Sequence, residues 1–167
     1  LPARIISNPR KLLRKLRQAY PIGVPALIIK SPTDRLGLAA GYAFHLGTPD
    51  ENLRRIASWM ITAAGRSHRG LLRIISSLWK RHGREDLALA ALLLSNCQLP
   101  VGIDAWEIIL PCLQTQEAAD GLLLVIEELF RAGHTVPAVS RLEKWVEEGN
   151  TQAHFALLVF HAAWIRD

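Results

Sequence analysis

The stretch that decides the fold runs from Arg66 to Leu94 and reads RSHRGLLRIISSLWKRHGREDLALAALLL. In its first part Arg66, Arg69, Arg73, Ser77, Lys80 and Arg84 recur at three- and four-residue steps, while Leu71, Ile75, Leu78 and Trp79 project from the opposite side. That spacing is the period of a helix with one cationic side and one core-facing side. The second part, Leu87 to Leu94, is apolar nearly all round, which suits a helix covered by neighbours on several sides. The two runs meet at Gly83. The stretch is therefore expected to fold as a helical hairpin whose second arm needs further helices to bury it.

The hairpin also divides the chain electrically. Residues 1–84 carry sixteen Lys and Arg against three Asp and Glu, and residues 85–167 carry four against twelve. The basic half is thus +13 and the acidic half −8, which together restore the formal +5 of the whole chain. An excess this concentrated points to a polyanionic partner for the basic half. The plainer alternative is two solvated faces that differ in sign.

At 167 residues, half of them apolar and 21% charged, the chain reads as a single helical-repeat domain, 1–167, with a substantial core and no long disordered tail. Cys97 and Cys112 both lie in apolar runs and make no disulfide framework, so they are expected as buried free thiols in a reducing cytoplasm. No secretory leader pattern opens the sequence, and no apolar stretch reaches the roughly 18 to 20 residues that span a bilayer. The expectation is a soluble cytoplasmic protein with no membrane partner.

Outward from the hairpin, helix signals recur. Asn8-Pro9 caps a helix to about Ala19, with Leu12, Leu13 and Leu16 inward and Arg10, Lys11, Arg14, Lys15 and Arg17 outward. Val24 to Lys30 fits either a strand or a turn of helix. Ser31-Pro32-Thr33-Asp34 and Thr48-Pro49-Asp50-Glu51 each place a hydroxyl cap before a first-turn proline, which predicts helices over about 32–46 and 49–64, closed by Gly47 and Gly65. Beyond the Pro100-Val101-Gly102 turn, Asp104, Thr115, Thr135 and Asn150 mark four more helix starts. About nine helices result, and alternate starts near 49, 84, 117 and 151 repeat at about 33 to 36 residues, the mark of an α-solenoid. The aromatic and glycine signature of tetratricopeptide units is absent, so the pairs are expected to be HEAT-like. The last helix is apolar on nearly every side (Phe155, Leu157, Leu158, Val159, Phe160, Trp164, Ile165), so either the chain wraps to make it central or, as expected here, further repeats or a protein partner cover it.

From Leu78 onward, over about half the chain, the order of features resembles the HEAT-like-repeat DNA glycosylases that excise alkylated purines, the AlkD-like family. The matching residues are Leu78-Trp79 with Glu85 and the alanine-leucine run after it, Trp106, Asp120 within TQEAADGLL, Leu142-Glu143-Lys144-Trp145, and the helix opened by Asn150. The resemblance implies hydrolysis of the N-glycosidic bond of a cationic alkylpurine, with Asp120 as the catalytic carboxylate that stabilises the sugar cation and positions water. No cofactor and no metal are expected. The family's tryptophan four residues before that aspartate is Gln116 here, and its phosphate-holding arginine falls at His154, an imidazole that contacts phosphate strongly only when protonated. Without the resemblance, Asp120 reads as a first-turn carboxylate favoured by the helix dipole.

Three other patterns carry no chemistry. Gly65-Arg-Ser-His-Arg-Gly70 has the glycine spacing of a phosphate loop but lacks its Lys-Ser/Thr and its preceding strand. His154 and His161 share a helix face with no further ligand at metal spacing. No Gly-x-Ser-x-Gly elbow occurs. The resulting expectation is an all-α HEAT-like solenoid that binds the backbone of double-stranded DNA through Arg66, Arg69, Arg73, Lys80, Arg84 and His154, with a glycosylase-like cleft at Asp120. Its rival is a non-catalytic protein-interaction scaffold with the Glu127, Glu128, Glu143, Glu147 and Glu148 cluster facing a basic partner.

Overall fold

The computed structural model of the chain describes residues 3–23 and 42–103, together with Ala105, Ile108, Ala132, Glu143, Lys144, Glu147 and Glu148. The described chain is all-α: a 3-10 turn at Ala3–Ser7 and four helices, α1 (Pro9–Ala19), α2 (Asp50–Ala64), α3 (Arg69–Arg81) and α4 (Arg84–Asn96). Among the described residues there is no strand, and no helix is long and apolar enough to cross a membrane.

Helix α4 is the centre. Every residue from Glu85 to Ser95 is buried, and both α3 and α2 pack on it. Its leucines and alanines therefore form core on all faces, as a helix with no polar side must. On α3 the buried residues are Leu71, Ile74, Ile75, Leu78 and Trp79, which recur once per turn and close against α4. On α2 a narrower stripe, Leu53, Ala57 and Met60, does the same. Trp79 and Met60 are fully enclosed, and Trp59 packs half-buried at the core's edge.

The caps explain where the helices begin and end. The side chain of Asn8, in extended conformation, accepts the Lys11 amide hydrogen at 3.1 Å, and Pro9 fills the first position, where no amide hydrogen is needed. Gly65 ends α2 at φ 66°, a backbone state that a side chain disfavours. The hairpin turn falls where the sequence places it, but His82, not Gly83, takes the left-handed conformation, at φ 61°. Gly83 is glycine for a different reason: a Cβ there would lie 2.1 Å from the Phe44 ring.

Phe44 belongs to a segment that departs from expectation. The helix read over 32–46 does not extend through its described part, since residues 42–49 form an irregular strap laid across the α3–α4 turn. The Ala43 amide donates to the His82 carbonyl at 2.8 Å, the Arg84 amide donates to the Phe44 carbonyl at 2.9 Å, and the Gly23 amide donates to the Leu46 carbonyl at 2.9 Å. Backbone groups that a helix would pair within itself are here bonded to other parts of the chain. Gly47 has the positive φ of 66° expected of it, but it turns the strap instead of capping a helix. Nor does the Thr48 hydroxyl cap α2: it donates to the Pro21 carbonyl at 2.8 Å, and Pro49 occupies the cap position.

The helix starts expected near 49 and 84 are found at Asp50 and Arg84. The tight turn expected at Pro100-Val101-Gly102 is present, with Gly102 at φ 81° and the Ile103 amide donating to the Pro100 carbonyl. Ala105 and Ile108 beyond it are helical. The segments expected as a strand or turn at 24–30 and as the last helix at 151–167 lie outside the described residues.

Candidate nucleic-acid interface

The side of α3 opposite its buried stripe carries Arg69, Arg73 and Lys80, all exposed. At 100° per residue their directions fall within about 40° of one another, and they span about 16 Å of helix axis. One strand of a duplex presents a phosphate per ~3.4 Å of its axis, so that length spans roughly five phosphates, enough for each cation to meet one. Among the described residues none of the three has an ion-pair partner. On α2, by contrast, Arg54 pairs with Asp50 at 2.7 Å and Arg55 with Glu51 at 2.5 Å.

Two of the expected members stand apart. Arg66 is exposed, but it lies in the turn before α3, not on the helix. The left-handed residue His82 interrupts the helical phase, so Arg84 does not continue the stripe. It opens α4 half-buried, near His45 on the strap. His45 is held below the usual imidazole range by burial first and by the Arg84 charge second, with Glu85 opposing. Asp120, Gln116 and His154 lie outside the described residues.

Beside the apolar core, the cationic helices α1 and α3 are tied together by a buried polar cluster that the sequence reading did not find. Asp86, fully buried, accepts hydrogen bonds from the Tyr20 hydroxyl at 2.9 Å, from Arg81 Nε at 2.6 Å and from Arg81 Nη2 at 2.5 Å. Arg81 Nη1 also donates to the Leu13 carbonyl, which ties α1 to the end of α3. The Arg81 guanidinium has its pKa raised: burial opposes its charge, but the hydrogen bonds to Asp86 and that carboxylate's charge outweigh burial. Burial, with the Asp86 charge second, pushes the Tyr20 hydroxyl far above the ordinary phenol range. Next to this cluster, Glu85 Oε1 accepts the Leu46 amide at 2.9 Å and the Thr48 amide at 3.3 Å. Its Oε2 is buried with no hydrogen-bond partner among the described residues. Glu85 and Asp86 open the acidic half in sequence, yet both are interior.

One signal in the sequence does point to this cluster. On a helical projection of α3, Arg81 falls at the border of the apolar stripe, beside Ile74, away from Arg69 and Arg73. A cation there needs a buried partner, and Glu85 and Asp86 are the first acids after it.

A cleft of about 300 Å3 opens between α2 and α4, lined by Arg54, Ala57, Ser58, Ile61, Thr62, Leu92 and Asn96. Among the described residues no carboxylate lines it. No family model, no curated protein and no solved structure matches this chain.

Proposed function

We propose that the chain binds the sugar-phosphate backbone of double-stranded DNA as a HEAT-like helical-repeat protein of about nine helices, resembling the alkylpurine glycosylases and acting in the cytoplasm. The observation that carries this reading is the row Arg69, Arg73 and Lys80: three aligned, exposed cations, free of ion-pair partners among the described residues, on a helix whose other side is fixed in the core. Such a row reads phosphate charge and is nearly blind to base sequence.

Replacing Arg69, Arg73 and Lys80 with Glu and titrating a mixed-sequence duplex at two salt concentrations tests it. The reading expects weaker binding and a shallower salt dependence. Unchanged affinity and slope end the DNA assignment.

Catalysis is a separable claim. In this reading Asp120 supplies the carboxylate for N-glycosidic hydrolysis, with Gln116 and His154 in place of the family's tryptophan and arginine weakening it. Incubation with methylated duplex should release alkylpurine base, and Asp120→Asn should abolish the release. No release from the parent protein leaves a binding protein only.

A second reading, a protein-interaction scaffold, is favoured by the exposure of the acids Glu143, Glu147 and Glu148. Retention of a basic peptide at moderate salt, lost when the three are changed to Gln, would support it over the DNA reading.

A further inference from the structure

We propose that α1 is a second phosphate-gripping face, formed by Arg10, Lys11, Arg14 and Lys15, and that its partner is the backbone of a nucleic acid. The proposal rests on the polyanion reading above and extends it from α3 to a neighbouring helix.

The charge pattern of α1 works against the helix that carries it. Five of the eleven residues in PRKLLRKLRQA are basic and none is acidic. Arg10 and Arg14, and Lys11 and Lys15, are like charges one turn apart, and Arg10 and Lys11 stand in the first turn, where the helix dipole disfavours positive charge. Arg10, Lys11 and Arg14 are exposed and Lys15 half-buried, and among the described residues none of the four has an ion-pair partner. Arg17 is spoken for, with its guanidinium 4.4 Å from the centre of the Phe44 ring.

The fold nevertheless holds α1 firmly in place. Leu12 and Leu16 are fully buried, Asn8 caps its start, the Tyr20 hydroxyl just past its end bonds Asp86, and Arg81 bonds the Leu13 carbonyl. A self-repelling face fixed to a rigid core is relieved by a dense line of negative charge. Four cations within about 7.5 Å of axis approach the charge density of a duplex, one per ~1.7 Å.

A basic amphipathic helix also suits an anionic membrane, but such binding buries the helix's apolar side among the lipids. Here that side is already occupied, since Leu12 and Leu16 have no exposed surface to insert. The charge match without a free apolar face favours nucleic acid.

The test compares the parent chain, an α1 variant (Arg10→Gln, Lys11→Gln, Arg14→Gln, Lys15→Gln) and an α3 variant (Arg69→Gln, Arg73→Gln, Lys80→Gln). Each is titrated with a mixed-sequence duplex across a salt series and with vesicles of phosphatidylserine and phosphatidylcholine in equal parts. Four lost phosphate contacts should make the slope of log K against log salt shallower by about 3.6, so that the parent loses roughly a hundredfold more affinity than the variant between 50 and 200 mM salt. Without DNA, the α1 variant should melt at or above the parent at low salt, because the repulsion is gone. If it melts well below, the pair Arg14→Gln and Lys15→Gln replaces it, with an expected slope change of about 1.8. An unchanged slope in the α1 variant, alongside a reduced one in the α3 variant, overturns the α1 face and leaves the α3 reading standing. No duplex binding by the parent overturns both. Binding to the vesicles in preference to the duplex assigns the face to lipid and overturns the proposal.

Discussion

Replacing Asp86 with Asn removes one charge and leaves the side-chain volume almost unchanged, so it isolates the contribution of the buried cluster. In the parent, Asp86 is fully buried and takes three hydrogen bonds, two of them from the Arg81 guanidinium. The amide of Asn turns a donor towards Arg81's donors and leaves a cation short of its counter-charge. Removing one partner of a buried ion pair costs about 3–5 kcal/mol. Arg81 retains 23% side-chain exposure, so water offsets part of that loss, and about 2–3 kcal/mol is the expected destabilisation. For a chain of this length that lowers the melting temperature by roughly 5–10 °C. Urea denaturation followed by circular dichroism measures the difference. A cycle with Arg81→Met sharpens it: Arg81→Met alone strands a buried carboxylate, and adding Asp86→Leu should recover much of the loss. If Asp86→Asn changes stability by less than about 0.5 kcal/mol and the two sites add independently, the cluster does not tie the cationic helices to the core as described.

Other consequences follow from the same interior. Gly83→Ala drives a methyl into the Phe44 ring, which also lies 4.4 Å from Arg17 and 5.6 Å from Arg81, and should cost about 1–3 kcal/mol; a parallel Phe44→Leu change should make it tolerable. The folded-state pKa of Tyr20 lies above its unfolded value near 10, so its contribution to stability is complete below about pH 10 and is lost as the pH rises beyond it. In an alkaline absorbance titration, one of the two tyrosines should therefore ionise only on unfolding. Burial pushes the Cys97 thiol up to about 11, so at pH 8 its alkylation, followed by peptide mapping, should be slow and should accelerate with added urea.

Much of the described fold is legible in the sequence because it is local. Asn8-Pro9, Gly65 and the apolar run of α4 carry their own signals, and each lies where the pattern puts it. The misreadings share a cause: residues whose partners are distant in sequence. Thr48-Pro49 has the grammar of a cap, yet the Thr48 hydroxyl bonds Pro21, and no local rule reports that. The strap at 42–49 contains good helix formers, but the Glu85 carboxylate and the turn at His82 take up its backbone groups. At the candidate interface, the periodic set Arg69, Arg73 and Lys80 holds together. Extending the period to Arg84 fails because that residue lies past the hairpin turn, where the left-handed His82 breaks the helical phase.

The central claim is that the basic half meets a phosphate chain, and a mobility-shift series tests it most directly: the unaltered protein against a mixed-sequence duplex of about 20 base pairs, from 50 to 200 mM salt. The account predicts binding at low salt that weakens steeply and log-linearly as salt rises, equally for unrelated sequences. Absence of a shift at micromolar protein and 50 mM salt, or an affinity indifferent to salt, would contradict it.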